Sequence, residues 1–457
     1  MDRPHSPRHD LRPVLFVARE PDETLRTFLP VIDQLQRASG VPCAVLFHHT
    51  PGSWARAALA ERGVPLHEVT LPGPSLPGRL SNVPGAATIS EIVRLRRARV
   101  LAATILRERQ PSAIVVIQDT LLLERFLVRA ANALGLPTLV VQWAFSYPQA
   151  MYDRLRAIQY APSAPRRARG TLRQRIGPLT RGVYQSLLAA LGLRFELVES
   201  YGGGEAQRFA VMGAAFREQF LAQGVRKQEI AITGHPIHDL VYRRAQSIDT
   251  AARTAIRAQY GLPEDRTVVL YATQPVLWRK VISRETLETN VRAMAESISR
   301  LTGCTLVLKL HPREDPADYA FCATLDPPVQ VIAQAEMPDL IAACDLFISS
   351  SSSTVLLAML LDRPIVTVNF DAVPHFDQFE PIGGTVHVRT HAAFAEAARQ
   401  LLTDADARDR LQAERQDVVA RYTRFDGRAA ERIAGVVTSA LGLPAPAAPQ
   451  TPVGSAP

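Results

Sequence analysis

The chain has 457 residues, with 52 basic against 44 acidic side chains and a formal charge of +8. Its 47% apolar and 21% charged residues exclude wholesale disorder, a collagen-like chain and a disulfide scaffold, and the length predicts two or three domains. Nine arginines and no acidic residue fall between Arg154 and Phe195, so the charge is a local +9 insertion on an otherwise nearly neutral chain, and general nucleic-acid binding is not expected.

In chain order, aliphatic and β-branched runs predict strands at Val14–Ala18, Ala44–Phe47, Ala113–Ile117 and Pro137–Gln142. Helical patterns lie between them, at Glu23–Arg37, Trp54–Glu61, Ser90–Arg109 and Leu121–Leu134. The arginine-rich window then interrupts the rhythm. Strands resume at Arg208–Met212 and Gln228–Thr233, and a second run follows at Thr267–Tyr271, Thr305–Leu310, Val329–Ile332, Leu346–Ile348 and Ile365–Val368. Strands alternating with helices predict parallel sheets covered on both faces, that is, an α/β fold of two doubly wound halves.

The expected organisation is a disordered 1–11, a first domain at 12–215 carrying the basic insertion 154–195, and a second domain at 225–403. Closing helices at 404–440 and a disordered proline-rich tail at 443–457 complete the chain. The cysteines Cys43, Cys304, Cys322 and Cys344 show no CxxC spacing and read as buried, reduced thiols. Residues 1–13 lack the apolar core of a signal peptide, and no apolar run approaches the roughly 20 residues that span a bilayer, which predicts a cytoplasmic protein, soluble or peripheral.

Ligands of parallel sheets bind beyond the carboxyl ends of strands, so the polar turns there are the candidate sites. Lys309-Leu310-His311-Pro312-Arg313-Glu314 follows a strand, and its Lys, His and Arg can together hold a diphosphate or polarise its departing oxygen. Lysine is scarce (three residues in the chain), which adds interest to Lys309; a surface turn is the plain alternative. Ser349–Thr354, with Ser350, Ser351, Ser352, Ser353 and Thr354, opens a helix and offers hydroxyls beside free main-chain N–H groups. Gly234-His235-Pro236 can line a cleft or simply turn the chain, and Thr273 and Gln274 in Tyr271–Pro275 can reach a nucleotide or cap. Glu20, Asp22 and Glu23, after the first strand, are candidates for a general base, although acidic residues also favour a first helical turn; Gln118-Asp119-Thr120 is comparable. Asp404-Ala405-Asp406 mimics a metal-binding DxD but opens a helix, and the histidines lack paired ligand spacing, so no metal is expected.

Taken together, Ile232–Pro236 with Asp239, Tyr271–Pro275, Lys309–Pro312, Ser349–Thr354, Arg363-Pro364 and Phe425–Arg428 with Glu431-Arg432 resemble the second half of GT-B glycosyltransferases. The similarity is to the bacterial group of CDP-glycerol glycerophosphotransferases and capsular or sialyltransferase-like enzymes. One position departs: Leu357 stands where many members carry Asp or Glu. The resemblance implies two facing Rossmann-like domains with a cleft between them. His311 and the serine run would contact the phosphates of a nucleotide-activated donor, which is a substrate, with no cofactor. A glycan or lipid-linked acceptor would enter from the first domain, with inversion and without metal.

The implied function is transfer of a sugar or polyol phosphate in surface polysaccharide, capsule or glycolipid synthesis. The basic segment 154–195, with apolar Val183–Leu193, suits anionic lipid headgroups; a solvated loop is the alternative. The chain also resembles UDP-N-acetylglucosamine 2-epimerases, which Gln118-Asp119-Thr120 matches in part. A non-catalytic GT-B-like binding module is the third reading.

Overall fold

The computed structural model describes residues 12–19, 21–71, 73, 86–146, 182–195, 201–277 and 281–444. The disorder expected of 1–11 and of most of 443–457 falls outside these residues, as do the arginines of 154–181. The chain divides into two units, and each holds one parallel sheet.

The first sheet contains β1 (Val14–Ala18), β2 (Cys43–Phe47), β3 (Leu66–Glu68), β4 (Ala113–Val116), β5 (Thr138–Val141), β6 (Arg208–Val211) and β7 (Glu229–Ile232), in the spatial order β3-β2-β1-β4-β5-β6-β7. Its central strands are continuous apolar runs because helices cover both faces; all five residues of β1 are buried. Phe16 and Phe28 pack with ring centroids 5.1 Å apart, bringing the helix Pro21–Ser39 onto the sheet.

The second sheet contains β8 (Thr267–Ala272), β9 (Cys304–Lys309), β10 (Gln330–Ile332), β11 (Leu346–Ser349), β12 (Ile365–Val368) and β13 (Val386–Val388), in the order β10-β9-β8-β11-β12-β13. Counted within the unit this is the 3-2-1-4-5-6 order of a Rossmann sheet, whose switch point lies between β8 and β11. Leu306, Leu308, Ile348, Val366 and Phe394 are among the side chains that fill its core.

The division differs from the expected one in two places. The first unit does not end near 215: β7 pairs with β6 from Arg208↔Glu229 to Val211↔Ile232, and this unit runs on to Ile237. The closing helices also part company. Ala405–Tyr422 belongs to the second unit, whereas Ala429–Ala440 returns to the first, where Ala430, Ile433, Ala434 and Val437 enter the core. Two alanines on the inward stripe let this helix approach the helix Pro21–Ser39 closely. Its first turn is tied down by Arg432 Nε, which donates to the Thr233 carbonyl at 2.8 Å.

Asp404 caps the helix Ala405–Tyr422 by accepting from Ala407 N at 3.1 Å, so the DxD look-alike is a helix start. All four cysteines are free and buried, and burial pushes the Cys43 and Cys344 thiols up to about 12. No helix among the described residues is long and apolar enough to cross a membrane.

Candidate functional site

Three of the predicted turns meet at the carboxyl edge of the second sheet. β8 ends in Thr273 and Gln274, β9 in His311, and β11 in the serine run, and β8 lies between β9 and β11. The turn after β9 is closed by its own hydrogen bonds. Glu314 N donates to the His311 carbonyl at 2.9 Å, and Arg313 N donates to His311 Nδ1 at 3.1 Å. His311 N donates to Glu314 Oε2 at 2.9 Å and lies 3.1 Å from Thr273 Oγ1. Burial pushes the Glu314 carboxyl above its ordinary range, against hydrogen bonds from Thr273, Tyr319 and His311. His311 is half-buried and Arg313 exposed.

The serine run divides its roles. Ser349 Oγ donates to the Ala272 carbonyl at 3.3 Å, and Ser350 bonds the Tyr271 hydroxyl, so both serve the sheet. Ser351 offers its carbonyl to Gln378, and Ser352 Oγ accepts from Thr354 N at 3.2 Å. Ser353 makes no side-chain cap at the start of the helix Thr354–Leu360. The buried Thr354 Oγ1 has no hydrogen-bond partner among the described residues. A buried hydroxyl without a partner costs free energy, and a ligand oxygen at this turn would remove that cost. Leu357, the departure from the family pattern, is half-buried in the same helix.

Other predicted residues lie elsewhere or are differently engaged. Lys309 is buried, and its Nζ donates to the carbonyls of Leu310 at 2.6 Å and Ala333 at 3.2 Å. Burial lowers its pKa against the charges of Glu314 and Glu336; its described bonds join the ends of β9 and β10 instead of reaching a phosphate. Gly234 and His235 belong to the first unit, at the carboxyl end of β7, not to the donor-side domain that the sequence suggested. Gly234 has φ 80°, a turn that glycine adopts without strain. Burial lowers the His235 pKa to about 4, opposed by a main-chain hydrogen bond at Trp143, so the ring is neutral near pH 7. Gln274 is half-buried at the β8 turn. Glu20 lies outside the described residues, and Asp22 and Glu23 begin the helix Pro21–Ser39 with side chains outside them.

Asp119 is not a base in waiting. Its carboxylate accepts from Gly204 N at 3.0 Å, Ala206 N at 3.1 Å and Lys227 Nζ at 2.7 Å, with the Asp119 and Lys227 side chains 0% and 1% exposed. Such complete engagement makes it a structural anchor, tying β4 to the segment before β6. Any Cβ at Gly204 would collide with the Asp119 carbonyl.

Sequence reasoning missed two groups. His48 follows β2 and meets Glu124 at 3.1 Å, both buried, in a pair 76 residues apart. Asp377, Glu380 and His387 bring ligand atoms within 4.8 Å of one another, which no sequence spacing announced. Arg389 already pairs with both carboxylates, and Asp377 accepts from Asn369 at 2.6 Å and contacts His387 at 2.9 Å. Burial pushes the Asp377 carboxyl up, yet those hydrogen bonds and the Arg389 charge hold it below its ordinary value. The three side chains thus form an ion-pair network with Arg389, half-exposed at its Glu380 end.

The family model for CDP-Glycerol:Poly(glycerophosphate) glycerophosphotransferase matches residues 211–439, half of the chain. The chain belongs to this family. The matched span holds all three turns of the second sheet's carboxyl edge as well as Gly234 and His235. No curated protein sequence matches the chain.

Among solved structures, the wall teichoic acid polymerase TagF soaked with CDPG aligns with a TM-score of 0.53 at 14% identity, over 95% of this chain and 90% of that one. The calicheamicin glycosyltransferase CalG4 aligns at 0.57 and 16%, over 95% and 100%. The UDP-GlcNAc 2-epimerase of Neisseria meningitidis bound to UDP-GlcNAc aligns at 0.55 and 14%, over 93% and 99%. These likenesses show the GT-B fold of two Rossmann-like domains. Membership of the glycerophosphotransferase family makes the chain a GT-B transferase dependent on a nucleotide-activated donor.

Proposed function

We propose that this glycerophosphotransferase-family chain moves a polyol phosphate or a sugar from a nucleotide-activated donor to a glycan or lipid-linked acceptor in surface polysaccharide or glycolipid synthesis. The observation that carries this reading is the convergence of Thr273, His311 and the serine run at the carboxyl edge of a Rossmann sheet, on and beside its switch point. An acceptor hydroxyl oxygen forms the new bond to phosphorus or to the anomeric carbon, the latter with inversion. The bond to the departing nucleotide breaks, and the hydroxyl proton passes to a base. His311, Arg313 and the hydroxyls of Ser352, Ser353 and Thr354 meet the charge of the departing phosphate, which supports a metal-independent reaction. Glu20, Asp22 and Glu23 are the proposed acceptor-side bases.

We place the reaction at the inner face of the cell membrane. On the helix Ala86–Arg109, Ile89, Arg96, Val100 and Arg107 share one outward face, with Ile89 and Val100 each 62% exposed. Val183 and Leu187, on helical residues 182–190, are also exposed, and in the sequence they follow the arginines of 154–181. Arginine with aliphatic side chains suits an anionic interface. The full chain is expected to sediment with anionic vesicles at low salt and to be released by salt; indifference to such vesicles refutes this placement.

The donor reading is tested by thermal shift with UDP, CMP, CDP and GDP. A ligand that binds only the native state adds about 2.7 kcal/mol at a hundred times its dissociation constant. At least one nucleotide is expected to raise the melting temperature, with CDP or CMP first if the family's donor is retained. No shift with any of the four at about millimolar concentration counts against a nucleotide-dependent enzyme. The epimerase and the transferase separate on acceptor dependence: only a transferase requires acceptor to release nucleotide productively.

A further inference from the structure

We propose that Glu314 is a positioning residue that holds the His311 ring as its Nε2–H tautomer, so that the ring offers a hydrogen-bond donor to an oxygen of the donor substrate's diphosphate. This rests on the reading of the β9 turn as the donor site, although the ring state it assigns exists without ligand.

Three donors from three separate segments surround the Glu314 carboxylate. The Tyr319 hydroxyl, in the 3-10 segment Pro316–Thr324, donates to Oε1 at 2.6 Å. The His311 main-chain N–H donates to Oε2 at 2.9 Å, and the Thr273 hydroxyl donates to the same oxygen from the end of β8. Every one of these bonds suits an acceptor-only carboxylate, and neither Ala nor a shorter acid can reproduce the set. Glu314 thereby fastens the turn to the end of β8 and to the segment that follows it.

The consequence appears at the imidazole. The fastened turn aims the Arg313 N–H at His311 Nδ1, 3.1 Å away. A ring nitrogen that accepts an N–H carries no hydrogen, so the neutral ring must carry its hydrogen on Nε2. Nε2–H is a donor, suited to a phosphate oxygen and unsuited to removing a proton from an acceptor hydroxyl. Glu314 acts through the main chain, with its described bonds to the His311 N–H and not to the ring. Loss of the carboxylate would therefore release the turn, allowing both tautomers without removing any group from the ring itself.

The test uses the full chain labelled with 15N-histidine, with His311 signals identified by their loss in His311→Gln. The native protein near pH 8 is expected to show a bare Nδ1 and a hydrogen-bearing Nε2. In Glu314→Ala the two nitrogens are expected to move toward averaged positions, and CDP affinity to fall about tenfold, as expected for one charge-assisted hydrogen bond. Thr273→Val should move both readouts the same way, and Thr273→Ser should restore them. If Glu314→Ala fails to fold, Thr273→Val and Tyr319→Phe carry the comparison. A native ring with its hydrogen on Nδ1, or His311 signals indifferent to these substitutions, overturns the proposal. The expected ring signals without any CDP binding would uphold the tautomer assignment and overturn the donor-site reading instead.

Discussion

His311→Gln is expected to lower the kcat of transfer by about 10²- to 10³-fold, the range seen when one preorganised donor to a developing oxyanion is removed. Glutamine is chosen because its carbonyl can still accept from Arg313 N, sparing the turn that the imidazole closes at 3.1 Å. The unfolding midpoint should therefore change little. Charge on the bridging oxygen rises as the bond to the nucleotide breaks, so the loss should fall on kcat more than on donor KM. Steady-state kinetics with CDP-glycerol, and with a UDP-sugar as the second donor, measure it beside a melting curve. A full rate in the variant would remove His311 from the chemistry.

Asp119→Ala should cost about 3–5 kcal/mol of stability, because it leaves a buried ammonium uncompensated. Lys227 is 1% exposed, and its remaining partner at 2.7 Å is the Gly204 carbonyl. The same change orphans the N–H groups of Gly204 and Ala206. Urea unfolding followed by intrinsic fluorescence reports mainly on this unit, since two of the three tryptophans, Trp54 and Trp143, lie in it. Removing both charges together, as Asp119→Leu with Lys227→Met, should recover part of the loss, because the lone buried charge is then gone. A loss below about 1 kcal/mol in the single variant would mean that water reaches Lys227.

The sequence carried the strands best where they are buried on both faces. Val14–Ala18 is an unbroken apolar run and Ile365–Val368 is interrupted only by the buried, β-branched Thr367, and each forms the predicted strand. β3 and β13 escaped notice because each has three residues, partly exposed, at the edge of its sheet. His311 and the serine run stood out in the sequence since a polar turn after a buried strand has few structural reasons to be there, and the fold brings both to one sheet edge.

Lys309 was misjudged for a physical reason: an ammonium on the last residue of a strand can turn back to main-chain carbonyls, and composition does not report direction. Gly234 and His235 were assigned to the wrong unit because strand pairing is non-local, and only β7 beside β6 reveals where the first sheet stops. Glu314 stood inside the Lys309–Glu314 turn, but nothing in the sequence assigned it a role. Its partners Thr273 and Tyr319 lie 41 and five residues away and meet it only in the folded turn.

The return of the helix Ala429–Ala440 to the first unit has a consequence for how the protein is made. Residues 238–427 form one uninterrupted stretch of the second unit, whose sheet closes without any part of the last helix. The first unit, begun earlier, must wait with part of its apolar core open until its last helix has left the ribosome. Released chains truncated before Arg428 would therefore present a protease-resistant second unit attached to a protease-sensitive first one. Expression of the first unit by itself would call for a permuted chain in which 428–444 precedes Arg12.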